Sequence, residues 1–236
     1  MCNGSIMDKL ISFALPLMLS GILQLMFNAV DIVVVGRFSG SEALAAVGST
    51  TALINLMINI FIGLSVGVNV IVARYYGAKR EKDVQDTIHT AMALSIVSGL
   101  FLIVVGQLLS RPMLELMGTP DDVIDKSTIY MRIIFIGMPA NMIYNFGSAI
   151  LRAVGDTKRP LYFLTAAGVI NVVLNLFFVI MFRMDVAGVA LATAISQAIS
   201  AFLVIRCLME SEGSLKLHLK DLKLSLIHIS EPTRHA

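Results

Sequence analysis

Six stretches of this chain stay apolar long enough to cross a lipid bilayer as helices. A hydrocarbon core about 30 Å thick needs about 20 helical residues, and runs of that kind lie near 10–35, 44–73, 87–109, 128–151, 161–182 and 187–208. The pattern predicts an all-α membrane protein built as a six-transmembrane-helix bundle. Pro16, Gly63, Gly67 and Pro139 fall inside these runs, where neighbouring helices can close around the backbone groups they free. Pro16 and Pro139 each remove a backbone hydrogen bond and so permit a kink. Gly63-Leu64-Ser65-Val66-Gly67 is a small-xxx-small motif of the kind that lets two helix backbones approach closely.

The segments between the runs predict how the bundle sits in the bilayer. On a six-span arrangement one side carries twelve basic residues: Lys9, Arg74, Lys79, Arg80, Lys82, Arg152, Lys158, Arg159, Arg206, Lys216, Lys220 and Lys223. The other side carries five, Arg37, Arg111, Lys126, Arg132 and Arg183. By the positive-inside rule both ends of the unit face the cytoplasm, giving a multi-pass protein of the cell (inner or plasma) membrane with a cytoplasmic N-terminus. The longest outer loop is read as 110–122, with Asp121 and Asp122 at a helix start where the dipole favours negative charge; this capping outweighs metal binding by Asp121, Asp122 and Asp125.

Composition agrees with a bilayer and narrows the function. Hydrophobic residues make up 57% of the chain and charged residues 14%, against roughly 25% charged in a soluble domain. A net charge of +2, carried on loops, gives no reason to expect nucleic acid. Cys2 and Cys207 are the only cysteines, with neither the spacing of a disulfide framework nor that of a zinc site. The first apolar run is too long for the core of a cleaved signal and is read as a retained span.

Against this background the polar residues inside the spans stand out. Asp31 is the only acidic side chain within any of the six runs, and a carboxylate at membrane depth is kept, as a rule, for an ion or substrate pathway. Gln24, Asn28 and Asp31, spaced by four and three, form one stripe on the first helix. Asn171 and Asn175 share a face of the fifth helix, and Thr193 and Gln197 a face of the sixth. Either pair can serve as hydrogen-bonding glue between helices or line a polar cavity with Asp31. Asn55, Asn59 and Asn69 on the second helix read better as glue. No nucleophile elbow, HExxH or phosphate loop occurs, and His89 is the only histidine near a span, placed near the cytoplasmic start of the third helix. Enzymatic chemistry needs a base with a nucleophile or metal ligands at the site, so an enzyme is not expected.

The C-terminal stretch has a different character. Leu224 to Arg234, Leu-Ser-Leu-Ile-His-Ile-Ser-Glu-Pro-Thr-Arg, looks like the translation of a transposase-end adapter used in preparing sequencing libraries, and such a scar is set aside from fold reasoning. His228 and His235 then carry no function. The expected organisation is a transmembrane unit over 1–208, a cytoplasmic linker over 209–223 and an artefact over 224–236.

Four stretches resemble the N-terminal half of the multidrug and toxic compound extrusion (MATE) family of secondary transporters. They are Val30 to Arg37, Gly67 to Arg80, Ile150 to Pro160, and Asn171 to Asn175 together with Gly188 to Gln197. The third, with Gly155-Asp156-Thr157-Lys158-Arg159-Pro160, is the most specific, and the match covers essentially residues 5–210. The resemblance implies twelve spans in two six-helix bundles related by a pseudo-two-fold axis along the membrane normal, so that this chain is one lobe whose C-terminal partner is missing. It also implies antiport, with sodium ions or protons entering as cationic or amphiphilic drugs leave, and no cofactor beyond the coupling ion. By that likeness Asp31 is the first-span carboxylate, Asn171 and Asn175 the fifth-span polar pair, and Thr193 a sixth-span position near the cation site. Sodium held by Asp31, Asn171 and Asn175, and a proton on Asp31 alone, both stay open. Some relatives carry aspartate where Asn175 stands, so this cavity holds one carboxylate fewer. The related lipid-linked oligosaccharide flippases, and a channel or non-catalytic membrane subunit, are the alternatives. A flippase is expected to place more charge in its cavity, where only Asp31 is anticipated.

Overall fold

Helix is the only regular structure a chain can hold across hydrocarbon without closing a barrel, and the described residues are built from it. A computed structural model describes residues 6–211 and 213–218. Cys2, the end of the expected linker and the adapter-like tail with His228 and His235 lie outside the described residues. The helices are α1 (Ile6–Phe38), α2 (Gly40–Gly77), α3 (Glu81–Leu116), α4 (Asp121–Ile136), α5 (Met138–Ala153), α6 (Lys158–Leu176) and α7 (Asp185–Glu210). Five of the apolar helices are long enough to cross a membrane singly, and α4 with α5 form a sixth span bent by 47°. The fold is that of an all-α, six-span membrane bundle.

The break in the fourth span falls at Gly137, with Pro139 in the first turn of α5. Pro139 cannot donate an N–H to the turn before it, and Gly137 closes α4 by donating to Ile133 and Ile134 carbonyls at 3.4 and 3.0 Å. The kink expected at Pro139 is thus a true helix break. It is accommodated from the neighbouring helix: a Cβ on Gly99 of α3 would stand 2.3 Å from Pro139 Cα, and one on Gly106 would stand 2.1 Å from the Phe135 ring. The two glycines, seven apart, let α3 lie directly on the bent span. Pro16, by contrast, sits inside a continuous α1, where the Ser20 hydroxyl donates to its carbonyl at 2.8 Å.

Two expectations about packing and loops are corrected. Gly63 and Gly67 are exposed and would meet nothing within 4 Å if given a Cβ, so the small-xxx-small motif brings no two described helices together. The tightest approaches are at Gly99, Gly106, Gly147 against Val204, and Gly168 against Phe27, with Gly137 against Ala194 and Gly188 against Phe178 next. Nor is 110–122 a loop. Helix α3 continues through Pro112 to Leu116, and α4 starts at Asp121, leaving only Met117 to Pro120 between them. Asp121 and Asp122 occupy the first turn of α4 without a side-chain cap bond, and Asp125 pairs with Arg111 at 2.8 Å.

The α5–α6 turn accounts physically for the most specific motif. Gly155 takes a φ of +92°, which favours glycine, while its N–H and that of Asp156 close α5 onto Arg152 and Leu151 carbonyls at 3.0 Å each. The Asp156 carboxylate accepts the Arg159 backbone N–H at 3.1 Å, capping α6. Pro160, in the first turn of α6 where it costs no helix bond, offers its carbonyl to the Tyr144 hydroxyl at 3.1 Å. Helix α5 is thereby held at the centre of the bundle, packed against α2, α3 and α7, whereas α1 lies at the edge, chiefly on α6.

Candidate functional site

The polar residues inside the spans converge on one cavity of about 910 Å³, walled by α1, α2 and α4 to α7. Its wall on α1 includes Gln24, Asn28 and Asp31, all three members of the expected stripe. Asn171 and Thr193 line it from α6 and α7, and Tyr130 from α4.

Asp31 is tied to the bundle by a chain of amides. Asn175 donates its side-chain N–H to one Asp31 carboxylate oxygen and to Asn171 Oδ1 at 3.1 Å. Asn171 in turn donates to the Thr193 hydroxyl at 3.2 Å. The helical spacing of four that places Asn171 and Asn175 on one face makes the relay continuous. Asn175 is fully buried behind the cavity wall, so the carboxylate is oriented from the protein side and left open on the cavity side. Two features suit a cation. Asp31 enters none of the ion pairs among the described residues, and the buried Asn175 Oδ1 accepts no hydrogen bond. A carboxylate with nearby amide and hydroxyl oxygens is a hard donor set, fitted to a proton or an alkali cation rather than to a soft metal.

Of the predicted residues, Asp31, Asn171, Asn175 and Thr193 form this bonded group. Gln24 and Asn28 share the cavity without bonding to it. Asn55 and Asn59, expected as inter-helix glue, are instead exposed on the α2 wall with no side-chain partner among the described residues. Asn69 does act as glue, donating to the Ala149 carbonyl at 2.8 Å.

Three cavity residues escaped the sequence reading. Asn141 and Asn145 on α5 form an i, i+4 pair joined at 2.8 Å, carrying the same spacing signal as Asn171 and Asn175. Arg152, counted with the loops, lies in the last turn of α5 and lines the cavity. Asp31 is therefore not the only charge there.

Comparison with known proteins follows the same lines. The MatE family model matches residues 16–177. The chain is 37% identical over 197 residues to a probable multidrug resistance protein, YoeA, of Bacillus subtilis (strain 168), covering 82% of this chain and 42% of that protein. A second probable multidrug resistance protein of that strain, YpnP, is 34% identical, with 84% of this chain and 44% of that protein covered. The chain thus spans less than half the length of these relatives. A crystal structure of MATE in the bent conformation superposes with a TM-score of 0.88 at 23% identity, over 96% of this chain and 50% of that one.

Proposed function

The chain belongs to the MatE family, and on that premise we propose that it forms one six-helix half of a cation-coupled antiporter exporting amphiphilic or cationic small molecules by alternating access. The observation that carries this reading is the single carboxylate of Asp31, held from behind by Asn175, Asn171 and Thr193 and open to a large cavity. Two relatives bear names of multidrug resistance, which supports drugs as the exported class. A second bundle completes the unit by facing the cavity wall formed by α1 and α2, where Gln24, Asn28, Asn55 and Asn59 stand exposed. In this reading the N-terminus lies in the cytoplasm.

The coupling step follows from the charge. An ionised Asp31 without a cationic partner is costly at membrane depth. Binding of a proton or sodium ion from outside neutralises it, and the ion's preference for one arrangement of the helices around Asp31 shifts the population toward the state that releases substrate outward. Departure of the ion to the cytoplasm restores the charge and resets the bundle. The test uses the full-length transporter in proteoliposomes, with efflux of a fluorescent lipophilic cation driven in turn by a sodium gradient and by a proton gradient. Asp31→Asn is expected to abolish gradient-driven movement while the protein still inserts and purifies; undiminished efflux by that variant refutes the assignment. The gradient that drives the wild type identifies the ion.

A further inference from the structure

The cavity contains a second charge, far from the coupling carboxylate. Its α1 wall runs from Phe13 to Asp31, a rise of about 27 Å for a straight helix. Asp31 stands near one end, while Phe13 at the other borders the turn that follows Arg152. A guanidinium presents five N–H donors. Among the described side chains Nε alone is used, donating to the Ser148 carbonyl at 3.1 Å, and none of the ion pairs found among them involves Arg152. That one bond is what a basic residue at a helix C-terminus makes when it merely caps. It leaves both terminal nitrogens unassigned in a half-buried group on a cavity wall.

The surroundings leave those donors available to a molecule in the cavity. Two amides of this wall are already committed, Asn69 to the Ala149 carbonyl at 2.8 Å and Asn145 to Asn141 at 2.8 Å, so among the described side chains that line the cavity Arg152 is the charged donor. Its backbone is fixed by the bonds that close α5 in the Gly155 turn. A planar fork on a rigid helix end matches a carboxylate in two parallel hydrogen bonds, and Phe13, at this end of the α1 wall, supplies apolar surface.

We propose that Arg152 anchors a carboxylate-binding subsite at the basic end of the cavity, which holds the carboxylate of a bound molecule while its body lies along the amide-lined wall. This rests on the cavity being the substrate path of the exporter proposed above. Two matched probes separate the ideas: a rhodamine free acid and its methyl ester, which share the cationic ring system and differ only in the carboxylate. Equilibrium binding to the full-length protein in nanodiscs, read by fluorescence polarisation, is expected to favour the acid in the wild type. In Arg152→Gln acid affinity falls roughly tenfold, the usual scale for a charge-assisted pair, while the ester changes less than about twofold. Arg152→Lys, which keeps the charge and loses the fork, gives an intermediate loss for the acid alone. Equal losses for both dyes, no loss for the acid, or a wild type that does not discriminate overturns the subsite. Should Arg152→Gln fail to fold, the lysine variant and the wild-type preference decide. Gradient-driven movement of the ester tests the exporter separately: its absence, with acid-selective binding intact, refutes transport and leaves the subsite standing.

Discussion

Gly168→Ala tests whether the position of Asp31 is set by packing one turn away. A Cβ at residue 168 would fall 1.9 Å from Phe27 Cε2 and 2.0 Å from Cζ, far inside contact distance, so α1 and α6 must separate or the ring must leave its rotamer. Phe27 precedes Asp31 by one helical turn, and Gly168 precedes Asn175 by two. The same seam that admits the ring therefore sets the bond between Asn175 and Asp31. Overpacking of this kind costs about 1–3 kcal/mol, and losing a hydrogen bond to a charged group about 1.5–3 kcal/mol. The two costs read out differently. Thermal unfolding of the full-length protein in detergent should report the first, and a change of roughly tenfold or more in apparent affinity for the proposed coupling ion should report the second, a gain if that ion is a proton because the lost N–H stabilised the ionised carboxylate. Because the obstruction is the Phe27 ring, Phe27→Ala in the Gly168→Ala background should reverse much of both effects, although it is destabilising alone. A double variant no better than the sum of the singles, or a Gly168→Ala protein that couples like wild type, refutes the link between packing and site.

The other predictions concern the frame. Gly106→Ala drives a methyl to 2.1 Å from Phe135 Cγ and should lower stability by about 1–3 kcal/mol, seen as a lower melting temperature that Phe135→Ala in the same chain partly restores. Asn69→Leu removes the α2 to α5 bond to Ala149 and should cost about 0.6–1.7 kcal/mol, the range for such bonds in membranes; a neutral result in an unfolding titration refutes its role as glue. His89→Ala removes the acceptor for the His218 backbone N–H, bonded at 3.1 Å, while the Leu217 N–H keeps its bond to Leu208 at 3.0 Å. Hydrogen exchange should quicken at 218 and stay slow at 217. Lys126→Met breaks contacts to Glu42 at 2.9 Å and Asp185 at 3.2 Å, yet should cost no more than about 1 kcal/mol, with the difference from wild type shrinking in high salt.

The six spans were legible because bilayer thickness imposes a length on every apolar run, and nothing in the fold competes with that constraint. What the runs did not show were helix continuations and breaks. The chain from Ser110 to Asp122 was read as loop because the third apolar run ends near residue 109, but a helix need not stop where its hydropathy does, and α3 carries Pro112 near its end and persists to Leu116. Small residues misled in the same way. Gly63 and Gly67 carry the spacing of a packing motif, yet spacing marks only what a helix face could accept. Whether another helix lies there depends on the whole arrangement, and the faces actually filled are those of Gly99, Gly106, Gly147 and Gly168.

The site divides along a similar line. Asp31, Asn171, Asn175 and Thr193 were legible because polar groups at membrane depth must find one another, so their rarity is itself a signal. Asn55 and Asn59 carried the same signal and led to the wrong assignment, since a helix at the cavity edge can satisfy amides with whatever fills the cavity rather than with a neighbour. Arg152 was invisible for a different reason. Near a basic loop an arginine adds nothing to the hydropathy pattern beyond orientation, and only in the folded bundle does Arg152, in the last turn of α5, stand on the cavity wall. Charge counted along the chain therefore described a cavity with one negative group, whereas the folded cavity has opposite charges near its two ends. If Arg152 holds a carboxylate as proposed, that polarity fixes which way a bound molecule lies, with its carboxylate at the α5 end and the rest of it directed toward Asp31.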